Sequence, residues 1–288
     1  MRKWFDKYLT DIAHINKMIR LIIADVGDFP LFSSNHPDKF INAGVSESNA
    51  IGLAAGLSSE GYKVYIYGVS SFFLYRSYEQ LKYSVSYWKK NVTFVGVGFG
   101  WKYYNIGIGH FCPDDILLVQ TLPYFEIHTP FQLSQLKNIL FEESNNPRYI
   151  RLTANIVDES FYEAEMNKQK CILVSYGEMV KTSMAVIERL KTKNIDAGLI
   201  ALQSLNEDYV ISRVSAIKNT ALIIIEDQYE RGGVYPILRN YCSNVVLHIG
   251  LPLLPNKIAG SRQDLMKMYG LDIESIYKRI TNIFYHNE

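Results

Sequence analysis

The chain has 288 residues, of which 48% are hydrophobic, and its 30 basic residues nearly balance its 29 acidic ones. This balance excludes the basic surface that would bind nucleic acid or an anionic membrane. Three scattered cysteines argue against a disulfide framework, and no CxxC pair or Cys/His cluster suggests a zinc site. Because no apolar run could span a membrane and no signal-peptide core is seen, we expect a cytoplasmic protein.

Strand-like and helix-like segments alternate along the first half of the chain. Apolar runs predict strands at 63–69, 92–97, 125–128 and 149–152. Apolar positions spaced by three and four predict helices at 75–88 and 131–143, and a further helix begins near Asp114. Strands that alternate with helices in this way predict a parallel sheet that is covered on both faces.

The same alternation restarts after a polar, acidic stretch without periodicity, residues 156–169, which is the predicted linker. Strand-like runs follow at 171–175, 197–201, 221–226 and 245–248. Helix-like segments lie at 179–193, 208–217, 261–269 and 272–284. The length also suits two domains of roughly 100–200 residues each. We therefore predict two α/β domains, at 1–155 and 170–288.

Two segments carry side chains that could do chemistry, and the second of them lies at the C-terminal end of a predicted strand. Glu47 begins a helix rich in Ala and Gly, so it is either a first-turn acid that stabilises the helix dipole or a desolvated acid that shares a proton with a ligand nitrogen. A later buried strand is followed by Phe72, Phe73 and Tyr75, which either belong to the core or stack a heterocycle. Arg76 could pair with an anion or with a carboxylate.

A glycine-rich loop, residues 98–110, follows the next strand. Its glycines permit close approach of the backbone, and Trp101, Tyr103 and Tyr104 offer an aromatic wall. His110 ends the loop just before an acidic helix start, where it is either structural or catalytic. No dinucleotide-binding fingerprint or P-loop motif occurs in the chain, so a nucleotide site of either kind is unsupported.

In their order and spacing, motifs along nearly the whole chain resemble the C-terminal half of transketolase and of its relative deoxyxylulose-phosphate synthase. The first domain carries GVSESNAIGLAAG, VTFVGVGFG, GIGHFCPDDI, TLPYFEIHTP and PRYIRLT. The second carries ILVSYGEMV, ALIIIEDQYERGGV and SRQDLMKMYGLD. The resemblance implies a thiamine-diphosphate pyrimidine-binding domain with a parallel sheet, followed by a transketolase C-terminal-like α/β domain.

The resemblance also implies roles for individual residues. Glu47 takes the position of the glutamate that hydrogen-bonds the aminopyrimidine ring of thiamine diphosphate, and Phe73 that of the aromatic residue that stacks on this ring. His110 takes the position of a histidine that faces the thiazolium and can move protons at the donor. Further candidate contacts to the cofactor are Tyr75, Arg76 and Asp25, the last in an apparent strand, LIIADVG.

The motif that anchors the diphosphate in this family is missing. Family members hold the diphosphate through a metal ion on a domain with a GDG motif and a downstream Asn, and this chain carries no such motif. The resemblance therefore implies the smaller subunit of a split enzyme, active only with an N-terminal transketolase-like subunit that holds most of the Mg²⁺ or Ca²⁺. It also implies an α2β2 heterotetramer in which this chain self-associates.

The substrate pocket departs from the family pattern at three positions. Gly98 stands where transketolases carry a histidine, Ile106 where the family has an acid, and Ala154 where an arginine grips the substrate phosphate. Arg151 is retained nearby but at a different point of its strand. Losing a charged clamp weakens binding of a sugar phosphate, so a modified or nucleotide-linked sugar, or a pyruvate-type donor, becomes more plausible.

The implied function is transfer of a two-carbon ketol or acetyl unit from one small molecule to an aldehyde or ketone, within carbohydrate metabolism. A 2-oxo acid dehydrogenase beta-type subunit, which acylates a lipoyl domain, is one alternative. A non-catalytic subunit that shapes or regulates such a complex is another. Neither alternative involves nucleic acid or a membrane.

Overall fold

The computed structural model describes residues 1–100, 102–103, 106–161, 163, 169–252 and 261–285. Its first half contains a six-stranded sheet built from β1 (Ile19–Ile23), β2 (Phe40–Asn42), β3 (Lys63–Val69), β4 (Val92–Val97), β5 (Glu126–His128) and β6 (Arg148–Arg151). The strands run in the order β2-β1-β3-β4-β6-β5, and all neighbouring pairs are parallel. Every residue of β3, β4 and β6 is buried, which explains the nearly continuous apolar sequences of β3 and β4, whereas β6 begins and ends with a buried arginine.

The helices of the first half connect these strands. They are α1 (Arg2–Ile15), α2 (Pro30–Asn35), α3 (Glu47–Ser59), α4 (Ser70–Arg76), α5 (Tyr78–Gln80), α6 (Asp115–Gln120) and α7 (Leu133–Phe141). A π-helical turn, Leu81–Ser86, follows α5, and short 3-10 turns lie at Pro37–Lys39 and Ile108–His110. Because each crossover between parallel strands returns the chain to the same end of the sheet, the carboxyl ends of the strands meet at one edge.

The second half repeats this plan with four strands. They are β7 (Cys171–Tyr176), β8 (Ala197–Leu202), β9 (Ala221–Tyr229) and β10 (Val245–Leu251), which form a parallel sheet in the order β10-β9-β7-β8. Its helices are α8 (Met179–Lys191), α9 (Glu207–Val214), α10 (Tyr235–Tyr241), α11 (Arg262–Met268) and α12 (Ile273–Tyr285). The prediction of two parallel α/β units is confirmed. The predicted boundaries of the domains stay a prediction, because 162 and 164–168 of the linker lie outside the described residues.

Two local predictions need correction. The single helix predicted at 75–88 is broken, because Ser77 leaves the helical conformation at φ −126° and separates α4 from α5. The helical segment also begins earlier than predicted, at Ser70. Asp25 lies outside its apparent strand, since β1 ends at Ile23 and Asp25 takes φ +52°. The side chain of Asn42 stabilises that turn by accepting a hydrogen bond from the Asp25 N–H at 3.1 Å.

The two halves share one hydrophobic core and one buried charge cluster. Ile116 and Val119 of α6 belong to the same apolar cluster as Tyr176 and Ile200 of the second sheet. Beside it lies the Arg151 cluster, which consists of Asp115, Arg151 and Asp227, drawn from α6, β6 and β9.

Arg151 is 1% exposed and uses three nitrogen atoms within this cluster. Its Nε and Nη2 donate to Asp115 at 2.9 and 3.2 Å, and its Nη1 donates to Asp227 at 2.6 Å. Tyr149 and Gln228 each donate a further hydrogen bond to Asp115 at 2.6 Å. Burial raises the pKa of Asp115, although the Arg151 guanidinium opposes that shift. A charge group of this kind is stable only while all its members are present.

We expect Arg151→Met to lower the free energy of unfolding by about 3–5 kcal/mol, because it leaves two buried carboxylates without their cation. Urea denaturation of the purified chain measures the change. Arg189→Met is the matched control, since Arg189 pairs with Glu274 but is 47% exposed, and should cost about 0–1 kcal/mol. Equal losses in the two variants would show that the Arg151 cluster does not hold the domains together.

Candidate functional site

Four adjacent parallel strands end side by side at one edge of the first sheet. Asp25 lies just beyond β1, Glu47 beyond β2, and the segment after β3 carries Phe72 and Arg76. The loop that ends at His110 follows β4. Ligands of open parallel sheets bind beyond the carboxyl ends of the strands, so this edge is the natural candidate site.

Glu47 and Arg76 form an ion pair at this edge. Glu47 is the first residue of α3 and is only 6% exposed, whereas about half of the Arg76 side chain is exposed. Arg76 Nη1 donates to Glu47 Oε1 at 3.2 Å. Helix α3 lies close to the break between α4 and α5 here, as the hydrogen bond from the Ser48 hydroxyl to Ser77 Oγ at 3.0 Å shows. A buried carboxylate is thus held at the edge by a cation that solvent, or a ligand, can reach.

Phe72 extends this pair towards His110. The guanidinium carbon of Arg76 lies 4.0 Å from the centre of the Phe72 ring, and the Phe72 and His110 ring centres are 4.8 Å apart. Glu47, Arg76, Phe72 and His110 therefore touch one after another, and we call these four residues the edge row. The sequence predicts site roles for Glu47, Arg76 and His110. It leaves open whether Phe72 is a core residue or a stacking residue, and the family resemblance assigns the stacking role to Phe73.

Phe73 faces the other way. It is 1% exposed, and its ring packs against Phe94 with the centres 5.1 Å apart. A side-chain carbon on Gly68 would lie 2.0 Å from the same ring, so Gly68 provides the space that Phe73 occupies. Consecutive residues of a helix point about 100° apart, so α4 can present only one of the two rings to the edge. The predicted contact of Phe73 with a cofactor stays a prediction, and the structure places Phe72 in the edge row.

Helix α4 also holds the loop around His110. The Ser71 hydroxyl donates to the carbonyl of Gly109 at 3.1 Å, one residue before His110. On the other side, the Tyr75 hydroxyl donates to the carbonyl of Phe111 at 3.4 Å and to the Asp114 carboxylate. Burial, with Cys112 and Asp114 adding to it, raises the pKa of Tyr75, so its hydroxyl stays a hydrogen-bond donor. Tyr75 thus positions the loop and is not itself part of the edge row.

Asp25 is exposed at a different point of the edge. Its carboxylate accepts a hydrogen bond from Asn42 Nδ2 at 3.4 Å. Asn42 Oδ1 in turn accepts from the backbone N–H of Gly44 at 3.0 Å, so this residue pair shapes the turn that leads into α3.

At one of the altered pocket positions, Gly98, the ring of Tyr103 occupies the space that a side chain would take. Gly98 has φ +74°, and a side-chain carbon there would lie 2.3 Å from the ring of Tyr103. The Tyr103 ring centre is 6.3 Å from that of His110, so Tyr103 covers Gly98 and forms a second wall beside the histidine. Ile106 is 55% exposed. Trp101 and Tyr104, the other predicted wall residues, lie outside the described residues.

Two general features bear on the kind of site. Within the described ranges, no three His, Cys, Asp or Glu side chains converge in a way that could hold a metal ion. In the same part of the chain, no helix combines the length and apolarity needed to cross a bilayer.

Residues 1–158 match the family described as "Transketolase, pyrimidine binding domain", and residues 162–276 match "Transketolase, C-terminal domain". The chain belongs to the transketolase family. The resemblance stated from the motifs is thereby confirmed, and the edge row lies within the pyrimidine-binding domain of this family.

Relatives of two lengths resemble the chain. It is 27% identical over 296 residues to an apulose-4-phosphate transketolase subunit of Phocaeicola vulgatus, and the match covers 96% of this chain and 95% of that protein. It is 28% identical over 305 residues to 1-deoxy-D-xylulose-5-phosphate synthase of Clostridium acetobutylicum, where the match covers 96% of this chain but 48% of that protein. A solved split gene transketolase, described as an inactive beta4 tetramer, shares the fold with a TM-score of 0.81 at 23% identity, over 98% of this chain and 96% of that one.

We expect Gly98→Ala to lower the free energy of unfolding by about 1–3 kcal/mol, because the new methyl group collides with Tyr103 and takes a left-handed backbone. In the double variant with Tyr103→Ala, the part of the lost stability that comes from the collision should be recovered. A double-mutant cycle of urea denaturations measures this recovery. Gly109→Ala is the matched control within the loop, since nothing lies within 4 Å of a side-chain carbon there. Strict additivity of the two substitutions would exclude the contact.

Proposed function

We propose that the chain is a subunit of a thiamine-diphosphate-dependent transferase that moves a two-carbon ketol or acetyl unit onto an aldehyde or ketone. The observation that supports it is the edge row itself, in which Arg76 links a buried carboxylate to an aromatic ring and a histidine at the carboxyl edge of the sheet in a pyrimidine-binding domain. Core packing would explain a half-buried Phe72 ring, but not the placement of Glu47 and His110 at the two ends of the edge row.

The residues at this edge suit the pyrimidine end of the cofactor. When bound, thiamine diphosphate supplies a carbon nucleophile and an electron sink for the two-carbon unit. Glu47 can hydrogen-bond a ring nitrogen of the pyrimidine, for which Arg76 now stands in as a donor. The Phe72 ring lies against Arg76, and Arg76 can swing away from it towards solvent because about half of its side chain is exposed.

His110 is the proton-carrying group of the edge row. Its ring is held between Phe72 and Tyr103, while the carbonyls on either side of it are bonded by Ser71 and Tyr75. An imidazole fixed in this way can hold or deliver a proton at a hydroxyl or carbonyl oxygen of the donor. We assign general acid and base work to His110 and activation of the cofactor to Glu47.

The diphosphate end needs a second chain. We infer that an N-terminal transketolase-like subunit holds the diphosphate and its Mg²⁺ or Ca²⁺, and that two copies of each chain form a heterotetramer. The names of two relatives support this arrangement, since one is a transketolase subunit of nearly the same length and the other a split gene transketolase. Thiamine diphosphate would then lie between subunits, in contact with the edge row.

We expect Glu47→Gln to lower kcat by about 100-fold to 10,000-fold, the usual contribution of a positioned acid or base. The assay combines this chain with the GDG-bearing subunit from the same organism, thiamine diphosphate and Mg²⁺, and follows two-carbon transfer. Glu60→Gln is the matched control, since Glu60 is an exposed acid at the other end of α3. Unchanged turnover in Glu47→Gln would refute the role of Glu47.

The same assembly separates the alternatives. Release of CO₂ from a 2-oxo acid with acylation of a lipoyl domain would instead identify a dehydrogenase beta-type subunit. Calorimetry that detects no binding of thiamine diphosphate to the assembled complex would instead identify a non-catalytic subunit.

Phe72 and Phe73 can be distinguished directly. We expect Phe72→Ala to weaken binding of thiamine diphosphate by about 3-fold to 10-fold through loss of ring contact. Phe73→Ala should instead lower the free energy of unfolding by about 3–5 kcal/mol, as for any buried phenylalanine. Calorimetry on the complex and denaturation of the single chain measure the two effects. Phe73 is the stacking residue if Phe73→Ala alone weakens cofactor binding, measured at a temperature at which this variant is still folded.

A further inference from the structure

A group of three charged residues between the two domains contains more positive than negative charge. The Glu178 carboxylate, which is 4% exposed, bonds Lys102 Nζ at 3.3 Å and Arg262 Nη2 at 2.7 Å. The backbone N–H of Ala154 donates to the same carboxylate at 3.1 Å. The group therefore joins the loop after β4, the chain after β6, the start of α8 and the start of α11.

The charges of this group do not balance. Burial acts to raise the pKa of Glu178, but Lys102 and Arg262 lower it, so the carboxylate stays ionised between two cations. One negative charge thus faces two positive ones. The neighbouring Arg151 is different, because two carboxylates there face one cation.

The two cations also keep free hydrogen-bond donors on a partly open surface. Their side chains are 24% exposed for Lys102 and 39% exposed for Arg262, although Glu178 is buried. Each gives one donor nitrogen to Glu178. Arg262 Nε is buried without a hydrogen-bond partner among the described residues. An anion could therefore bind both cations while Glu178 keeps them in place.

One member of the group, Lys102, lies on the same loop as His110 of the edge row. Lys102 precedes Tyr103, whose ring faces His110, and its Nζ lies 5.0 Å from the centre of the Phe99 ring. The Arg151 guanidinium carbon lies 4.1 Å from the centre of the same Phe99 ring, which fixes this part of the loop. Lys102 is therefore the sequence neighbour of Tyr103, a residue that flanks His110.

We propose that Lys102 and Arg262 form a subsite for the phosphate monoester of the substrate, beside Ala154 and at the seam of the two domains. A phosphate dianion offers three acceptor oxygens to the free donors of a fixed lysine and arginine, a better match than a singly charged carboxylate. The inference rests on the proposed function, because it names the substrate class of that same site. It replaces, with residues from other elements, the arginine whose loss at Ala154 weakened the expectation of a sugar-phosphate substrate.

Inorganic phosphate tests the subsite on the chain alone. At constant ionic strength, phosphate should raise the melting temperature of the chain above its value in chloride, as a ligand of the native state does. Lys102→Met and Arg262→Met should each abolish this rise, measured against the variant's own value in chloride. The matched controls, Lys191→Met and Arg189→Met, remove exposed cations from single ion pairs and should keep it.

Three results would overturn the proposal. They are no phosphate-specific rise in the unmodified chain, an equal rise in all variants, and an equal rise with acetate, which would indicate a general carboxylate site. Because these measurements need neither cofactor nor partner, they stand even if the proposed function fails.

The assembled enzyme supplies the second test. For glyceraldehyde 3-phosphate and glyceraldehyde as acceptors, the ratio of the two kcat/KM values should fall about 10-fold or more in Lys102→Met, through loss of a charge-assisted hydrogen bond. Lys102→Arg should restore much of the ratio, and Arg189→Met should leave it unchanged. An unchanged ratio in Lys102→Met would refute the subsite, whereas an assembly without transfer activity would refute the proposed function.

Discussion

The Arg151 cluster is the interaction on which the rest of the molecule depends. Arg151 is fully buried and its charge is neutralised by carboxylates, one of which comes from each domain. The loop after β4 rests on it, because a side-chain carbon on Gly100 would lie 2.7 Å from the Asp227 carboxylate. The Gly100 N–H also donates to the carbonyl of Cys112 at 2.8 Å, which closes the base of the loop that carries His110. The Arg151 cluster therefore both connects the two domains and supports the loop that carries His110.

Much of the fold and part of the candidate site follow from the sequence. The predicted strands 63–69 and 92–97 have the observed limits, because strands buried on both faces read as unbroken apolar runs. Arg76 and His110 could be expected near one another, because each follows a predicted strand of the same parallel sheet, whereas the short β2 before Glu47 is not predicted. Such reasoning depends on topology alone and needs no knowledge of side-chain packing.

The remainder depends on contacts that no local pattern encodes. A short helix after β3 can turn either phenylalanine outward, and the space beneath Gly68 decides in favour of burying Phe73. The break at Ser77 likewise depends on a tertiary contact with α3. Glu178 meets Lys102 and Arg262 across separations of 76 and 84 residues, so only the docking of the two domains brings them together.

On the proposed function, the edge row supplies one end of a cofactor site whose other end lies on a second chain. Binding of thiamine diphosphate and association of the subunits are then linked, because the cofactor gains its full set of contacts only in the complex. By reciprocity, assembly strengthens cofactor binding by the same factor by which the cofactor strengthens assembly. In the separate chain, the Arg76 ion pair satisfies the Glu47 carboxylate instead. The buried acid therefore has a partner both before and after assembly, which lets a half-site exist in a stably folded subunit.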